Sequence, residues 1–262
     1  MVQTPNSKEA AKAVVGTHNP LVAGSNPAGP ISISKTSQHP HPPHVPEELE
    51  SFTSHLQPYA EHINGLRCVG QQLWNRGWSL GTSSNYSVVV DRDPIRLLIT
   101  ASGKDKGHLG PNDFVIVDEN GMVTIPDQPK SSAETLLHCT AASRCGAGAV
   151  LHTHSVWATT LSQHFFALGG IRMDGFEMLK GLDGITTHES SCWLPIFDNT
   201  QDIPALQSQV MRYLDEHPEE KCWGYLIRRH GLYTWGKDLA EATRHIEVLE
   251  FLLECLGRTI RR

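Results

Sequence analysis

The turns between the apolar segments of this chain are too short to let neighbouring strands run parallel. Tyr86 to Val90 and Arg96 to Thr100 are separated by an Asp-Arg-Asp-Pro turn. Phe114 to Val117 and Met122 to Ile125 are joined through Asp118-Glu-Asn-Gly121, and Trp223 to Arg229 meets Leu232 to Trp235 around His230-Gly231. A parallel crossover needs a dozen or more residues, so tight turns impose antiparallel pairing. Gly148 to His154 and Trp193 to Phe197 read as further strands.

Between these strands the apolar period lengthens to that of a helix. Tyr59, Ile63, Leu66, Gly70, Leu73 and Trp74 recur at three- and four-residue steps, with Gly77 as a stop. Helices are also expected over Ser132 to Arg144 with Ser132 as N-cap, Ser155 to His164, and Ile203 to His217. A long terminal helix starts near Leu239, with Ala242, Ile246, Leu249, Leu253 and Leu256 on one stripe. The expected fold class is α/β: a mostly antiparallel sheet covered by helices.

Residues 1–45 differ from the rest. They are rich in Pro, Gly, Ser, Asn and Thr and lack aromatics, so they cannot bury enough apolar surface to offset their ordering entropy. They read as a flexible tail, including the His39-Pro-His41-Pro-Pro-His44 tract, with residues 46–262 as a single folded domain. A net charge of -6 argues against a nucleic-acid partner. No apolar run is long enough to span a bilayer, and Met1 to Ala13 lacks a secretory h-region. Six cysteines without a C-x-x-C pair then read as reduced thiols in a cytoplasmic protein.

The chemistry-bearing segment is Val150-Leu-His152-Thr-His154-Ser. Alternate residues of a strand share a face, so both imidazoles point the same way at a spacing that suits one ion. Two histidines on one strand face also occur without metal, so the pair alone leaves both readings open. His230 follows Leu226-Ile-Arg-Arg at a glycine turn. There it is either a surface histidine or a third donor at the sheet edge. Three histidines would leave a fourth position for water or substrate, as catalytic zinc sites do. His55, His62, His188 and His217 read as surface residues. No Gly-rich nucleotide loop is present.

Gly81-Thr-Ser-Ser-Asn85, Ile99-Thr-Ala-Ser102-Gly103, Ser131-Ser-Ala-Glu134, His152-Thr-His154 and Arg228-Arg-His230-Gly231 occur in the order and spacing that resemble the class II aldolase and adducin-head superfamily over roughly residues 60–260. Phe176-Glu177-Met-Leu-Lys-Gly181 and Ile227-Arg-Arg-His-Gly-Leu-Tyr-Thr-Trp-Gly236 are similar to its methylthioribulose-1-phosphate dehydratase branch, in methionine salvage. The resemblance implies a three-layer αβα fold with a central, mostly antiparallel sheet, zinc on His152, His154 and His230, and a cyclic homotetramer with active sites between neighbouring subunits. It implies a small phosphorylated sugar as substrate, held by Ser84, Asn85, Ser102, Gly103, Ser131 and Ser132, with Lys104 adding charge.

It also implies that Glu177 is the catalytic acid/base, and that Glu134 supports the substrate. The sugar-phosphate aldolases of the superfamily place their acid/base at the position of Glu134, and some dehydratases carry cysteine there. An aldolase or epimerase on the same scaffold is therefore the rival reading. A non-catalytic adducin-like head, which would be expected to lose metal ligands, and a His-rich metal store follow behind.

Overall fold

The computed structural model describes residues 51–260, which fall within one unit, Glu47–Arg262. The tail expected over residues 1–45 and its histidine tract lie outside the described residues.

Eight strands form one sheet: β1 (Asn85–Arg92), β2 (Ile95–Thr100), β3 (Phe114–Asp118), β4 (Ala149–Thr153), β5 (Gly170–Asp174), β6 (Ser191–Phe197), β7 (Gly224–Ile227) and β8 (Gly231–Gly236), in the spatial order β3-β2-β1-β4-β8-β7-β6-β5. Neighbours pair antiparallel except β6 with β7, which run parallel. The short turns at Asp91 to Pro94 and at His230-Gly231 thus impose the pairing expected of them. The parallel pair is allowed because α4 (Ile203–Glu216) fills the long connection from β6 to β7.

Helices cover both faces. On one side α1 (Ala60–Asn75), α3 (Val156–His164) and α5 (Leu239–Ile260) bury Ile63, Leu66, Leu161, Ile246, Leu249 and Leu253 against Tyr86, Leu98, Leu151 and Leu232. On the other, α2 (Thr135–Arg144) and α4 bury Leu137, Ala141, Leu206 and Val210 against Val150, Tyr225, Tyr233 and Trp235. A patch of Leu97, Ile99, Val115, Val117, Cys139 and Ala142 continues that second core toward β3. This is the expected three-layer arrangement. Odd and even residues of each strand feed opposite cores, which explains why β4 is buried along its whole length.

Some local expectations fail. Met122 to Ile125 is not a strand: Val123 makes one isolated bridge to Val117, while Met122 and Val123 stay 65% and 40% exposed. Instead Gln128 offers its side-chain oxygen to the Ile116 N–H at 2.8 Å, capping part of the sheet edge. The helix expected from Ser132 starts at Thr135, and Ser132 caps the turn before it by accepting the Glu134 N–H at 3.2 Å. β5 was not anticipated. Its glycine start and its exposed Arg172 and Asp174 leave just Ile171 and Met173 to signal an edge strand. His55 and His217 are half-buried rather than on the surface, and His217 stacks on Tyr213. None of the six cysteines is in a disulfide. No described helix is long and apolar enough to cross a membrane.

Candidate metal centre and cleft

Three strands that are neighbours in space but distant in sequence build the centre. In the ladder, Asn85 of β1 faces His152 of β4, which faces Tyr233 of β8, which faces Tyr225 of β7. That row lies on the α2/α4 side of the sheet. His154 sits one residue beyond the end of β4, and its N–H bonds the Trp78 carbonyl at 2.8 Å. His230 occupies the turn into β8, where Arg229 adopts φ +53°. A Cβ on Gly231 would stand 1.9 Å from the Thr153 carbonyl oxygen, so glycine is what lets the two strands close here and carry His230 over β4.

The Nε2 atoms of the three histidines converge: 2.7 Å from His152 to His154, 3.4 Å from His152 to His230 and 3.0 Å from His154 to His230. A tetrahedral ion with bonds of about 2.0–2.1 Å needs donor separations of roughly 3.3 Å; the His152–His230 separation matches this, and the two involving His154 are shorter. The donor states also fit. His152 donates its Nδ1–H to the Leu232 carbonyl at 2.9 Å, which leaves the Nε2 lone pair facing the others. Burial first, then the neighbouring imidazoles, hold His152 well below the usual histidine pKa. Burial, then His230 and Lys106, lower His154 to about 4. Neutral imidazole is the ligand form, so these residues fit a divalent cation. The ring of His152 is further pinned by Tyr233, stacked at 3.9 Å between centroids.

Glu134 belongs to the same centre. One carboxylate oxygen lies 3.2 Å from His230 Nε2 and the other 3.5 Å from His152 Nε2. Asn85 donates to it at 2.9 Å and to Ser132 Oγ at 3.1 Å. Tyr233, held far above its ordinary pKa by burial and then by the Glu134 carboxylate, backs the group.

A cleft of about 330 Å³ opens beside the histidines, lined by Thr82, Ser83, Ser84, Asn85, Ser102, Gly103, Ser132, Glu134, Thr200, Gln201, His154 and His230 among others. Thr82 and Ser84 sit at φ +62° and +70°, strain that turns this hydroxyl-rich loop toward the opening. Of the residues expected at an anion site, Ser84, Asn85, Ser102, Gly103 and Ser132 are brought together here. Ser131 is not among the lining residues; it forms an isolated bridge with Ala101. Lys104 is paired with Asp113 at 2.7 Å. Glu177 also lies outside the cleft of its own chain. It is exposed, it pairs with Lys180 at 2.5 Å, and that bond holds its carboxyl below the usual range.

Sequence reasoning missed Thr200, Gln201, the buried Lys106 and the fully buried His138. His138 carried a signal, since it stands four residues after Glu134, one helical turn on. A larger hollow of about 780 Å³ beside Arg144, Cys145, Lys221 and His245 is remote from this chemistry. Its charges pair among themselves, Arg144 with Asp215 and Lys221 with Asp183.

Residues 64–256 match the Class II Aldolase and Adducin N-terminal domain family. The chain belongs to that family. Within it, the chain is 47% identical over 204 residues to the methylthioribulose-1-phosphate dehydratase of Marinobacter nauticus, covering 78% of this chain and 96% of the relative. It is 50% identical over 188 residues to the enzyme of the same name from Pseudomonas savastanoi, covering 71% and 89%. Among solved structures, L-fuculose-1-phosphate aldolase from Thermus thermophilus superposes with a TM-score of 0.60 at 26% identity, covering 77% of this chain and 98% of that one.

Proposed function

We propose that this chain is a hydro-lyase that dehydrates 5-methylthioribulose 1-phosphate to 2,3-diketo-5-methylthiopentyl 1-phosphate in methionine salvage. The observation that carries the reading is a convergent three-histidine centre beside a hydroxyl-lined cleft, in a chain that matches dehydratases over nearly their whole length. The reaction removes the C3 proton and the C4 hydroxyl as water, and the resulting enol rearranges to the diketone. His152, His154 and His230 would hold zinc, which suits three imidazoles. When bound, zinc supplies Lewis-acid polarisation of the C2 carbonyl, which makes the C3 proton acidic.

The protein's own groups do the rest. Ser84, Ser102, Gly103 and Ser132 offer hydroxyls and backbone N–H groups to the phosphate. Both amide hydrogens of Asn85 are taken by Glu134 and Ser132, so Asn85 shapes the site from within. Glu134 orients the substrate beside the histidines. Glu177 is the acid/base that protonates the departing C4 hydroxyl, because hydroxide is a poor leaving group. Its exposure on its own chain fits delivery to the cleft of a neighbouring copy, in a homotetramer with shared active sites. The free cysteines are consistent with a cytoplasmic enzyme.

The placement of Glu134 against the histidines favours a second reading, an aldolase-type arrangement. One assay separates the two: purified protein with methylthioribulose 1-phosphate, products resolved by mass. Loss of one water with a trappable diketone supports the dehydratase. Dihydroxyacetone phosphate plus an aldehyde would make it an aldolase.

A further inference from the structure

We propose that His138 is a positioning residue: it locks the Asn85 carboxamide in the one orientation that presents both amide hydrogens to Glu134 and Ser132. Asn85 and Ser87 are alternate residues of β1, so they point to the same side of the sheet, toward α2. His138 lies on α2 and is fully buried between them. Its Nδ1 meets Ser87 Oγ at 2.8 Å and its Nε2 meets Asn85 Oδ1 in a short contact. An amide can rotate by half a turn with almost no change of shape, so hydrogen-bond partners alone set its direction.

Here the partners form a directed chain. The Ser87 hydroxyl donates to Nδ1, which leaves the imidazole hydrogen on Nε2. Nε2–H donates to Asn85 Oδ1. Asn85 Nδ2 then faces the Glu134 carboxylate at 2.9 Å and Ser132 Oγ at 3.1 Å. The reversed amide would set its oxygen against the Glu134 carboxylate and, with the ring hydrogen on Nε2, an N–H against an N–H. Burial keeps the ring neutral by pushing its pKa down to about 3, so the relay has one proton arrangement rather than two. The ring edge also meets Tyr233 at 5.7 Å, which fixes its plane. Glu134 in turn lies within 3.5 Å of two metal-facing nitrogens, so the relay reaches the centre from behind without touching substrate.

The tautomer is tested independently of activity, while the kinetic arm rests on the dehydratase reading. In metal-loaded protein with ¹⁵N-labelled histidine, imidazole NMR should show His138 as a neutral ring protonated at Nε2. A hydrogen on Nδ1, or a charged ring at pH 7, would overturn the proposal whatever reaction the enzyme runs. His138→Phe fills the space but cannot donate, and it should lower kcat/KM by about 10- to 100-fold, the scale of a lost hydrogen bond in a charged network, with normal metal content. His138→Gln places an amide nitrogen where Nε2 stood and should recover all but about 5-fold. Equal losses in the Phe and Gln variants would reduce His138 to a packing residue and sink the idea. If the Phe variant does not fold, Ser87→Ala takes its place. It should mix the two tautomers and lower kcat/KM by about 3- to 10-fold, and an unchanged tautomer with unchanged kinetics refutes the relay.

Discussion

Replacing Glu250 by glutamine measures what a buried carboxyl behind the metal loop does to stability. Glu250 lies on α5 and is 2% exposed. Thr153, between two of the histidines, donates its hydroxyl to Glu250 Oε1 at 2.7 Å, and the other carboxyl oxygen is buried without a hydrogen-bond partner. Burial outweighs the bonds from Ser155 and Thr153 and raises the pKa from 4.5 to about 7. In the unfolded chain the proton leaves near the ordinary value, whereas the folded protein keeps it until about pH 7. Between those limits the folded state binds more protons, so stability falls as pH rises through the window and levels off above it. Each pH unit is worth about 1.4 kcal/mol, so the whole interval amounts to something on the order of 3 kcal/mol. Glutamine cannot ionise, yet it still accepts from Thr153. The stability of the variant minus that of the wild type should therefore rise by about this amount between pH 4.5 and pH 8. Urea unfolding of both proteins, at one protein concentration and one excess of zinc, gives the difference and cancels effects common to both. A difference that does not change with pH, or that moves in favour of the wild type, would refute the reasoning.

Single His152→Ala, His154→Ala and His230→Ala variants should each lose most of the bound metal by elemental analysis; full metal in the His230 variant would remove that residue from the centre. Glu177→Gln should lower kcat by about 100-fold or more with normal zinc content. Glu134→Gln should have a milder effect on KM or kcat, and the reverse ranking would favour the aldolase-type arrangement. Light scattering at micromolar concentration should report a tetramer, and a monomer alone would leave Glu177 without the neighbouring cleft proposed for it.

Much of this protein is written in local pattern. The length of a turn and the period of the apolar residues act over a few residues, so the antiparallel pairs of β1 with β2 and β7 with β8, the stripe on α5 and the shared face of the β4 histidine pair could all be read from the chain. Where local signals were weak or ambiguous, the reading slipped. Met122 to Ile125 has strand-like residues but follows an edge, where Gln128 takes the pairing position. The short alternating run of β5 gave too little contrast to register. Family motif order could mark Glu134 and Glu177, but it could not say which would stand beside the histidines. That depends on α2 packing over the row formed by Asn85, His152 and Tyr233, and on the glycine that lets β8 close on β4. His138 remained hidden for the same reason: a histidine on an apolar helix face takes its meaning from Ser87 and Asn85, some fifty residues earlier. Turn length and apolar period settled most of the strands and helices and the faces they bury, because those preferences are local. Which distant side chains share a site was settled by packing alone, because strand order and helix docking follow from burying all of those faces at once.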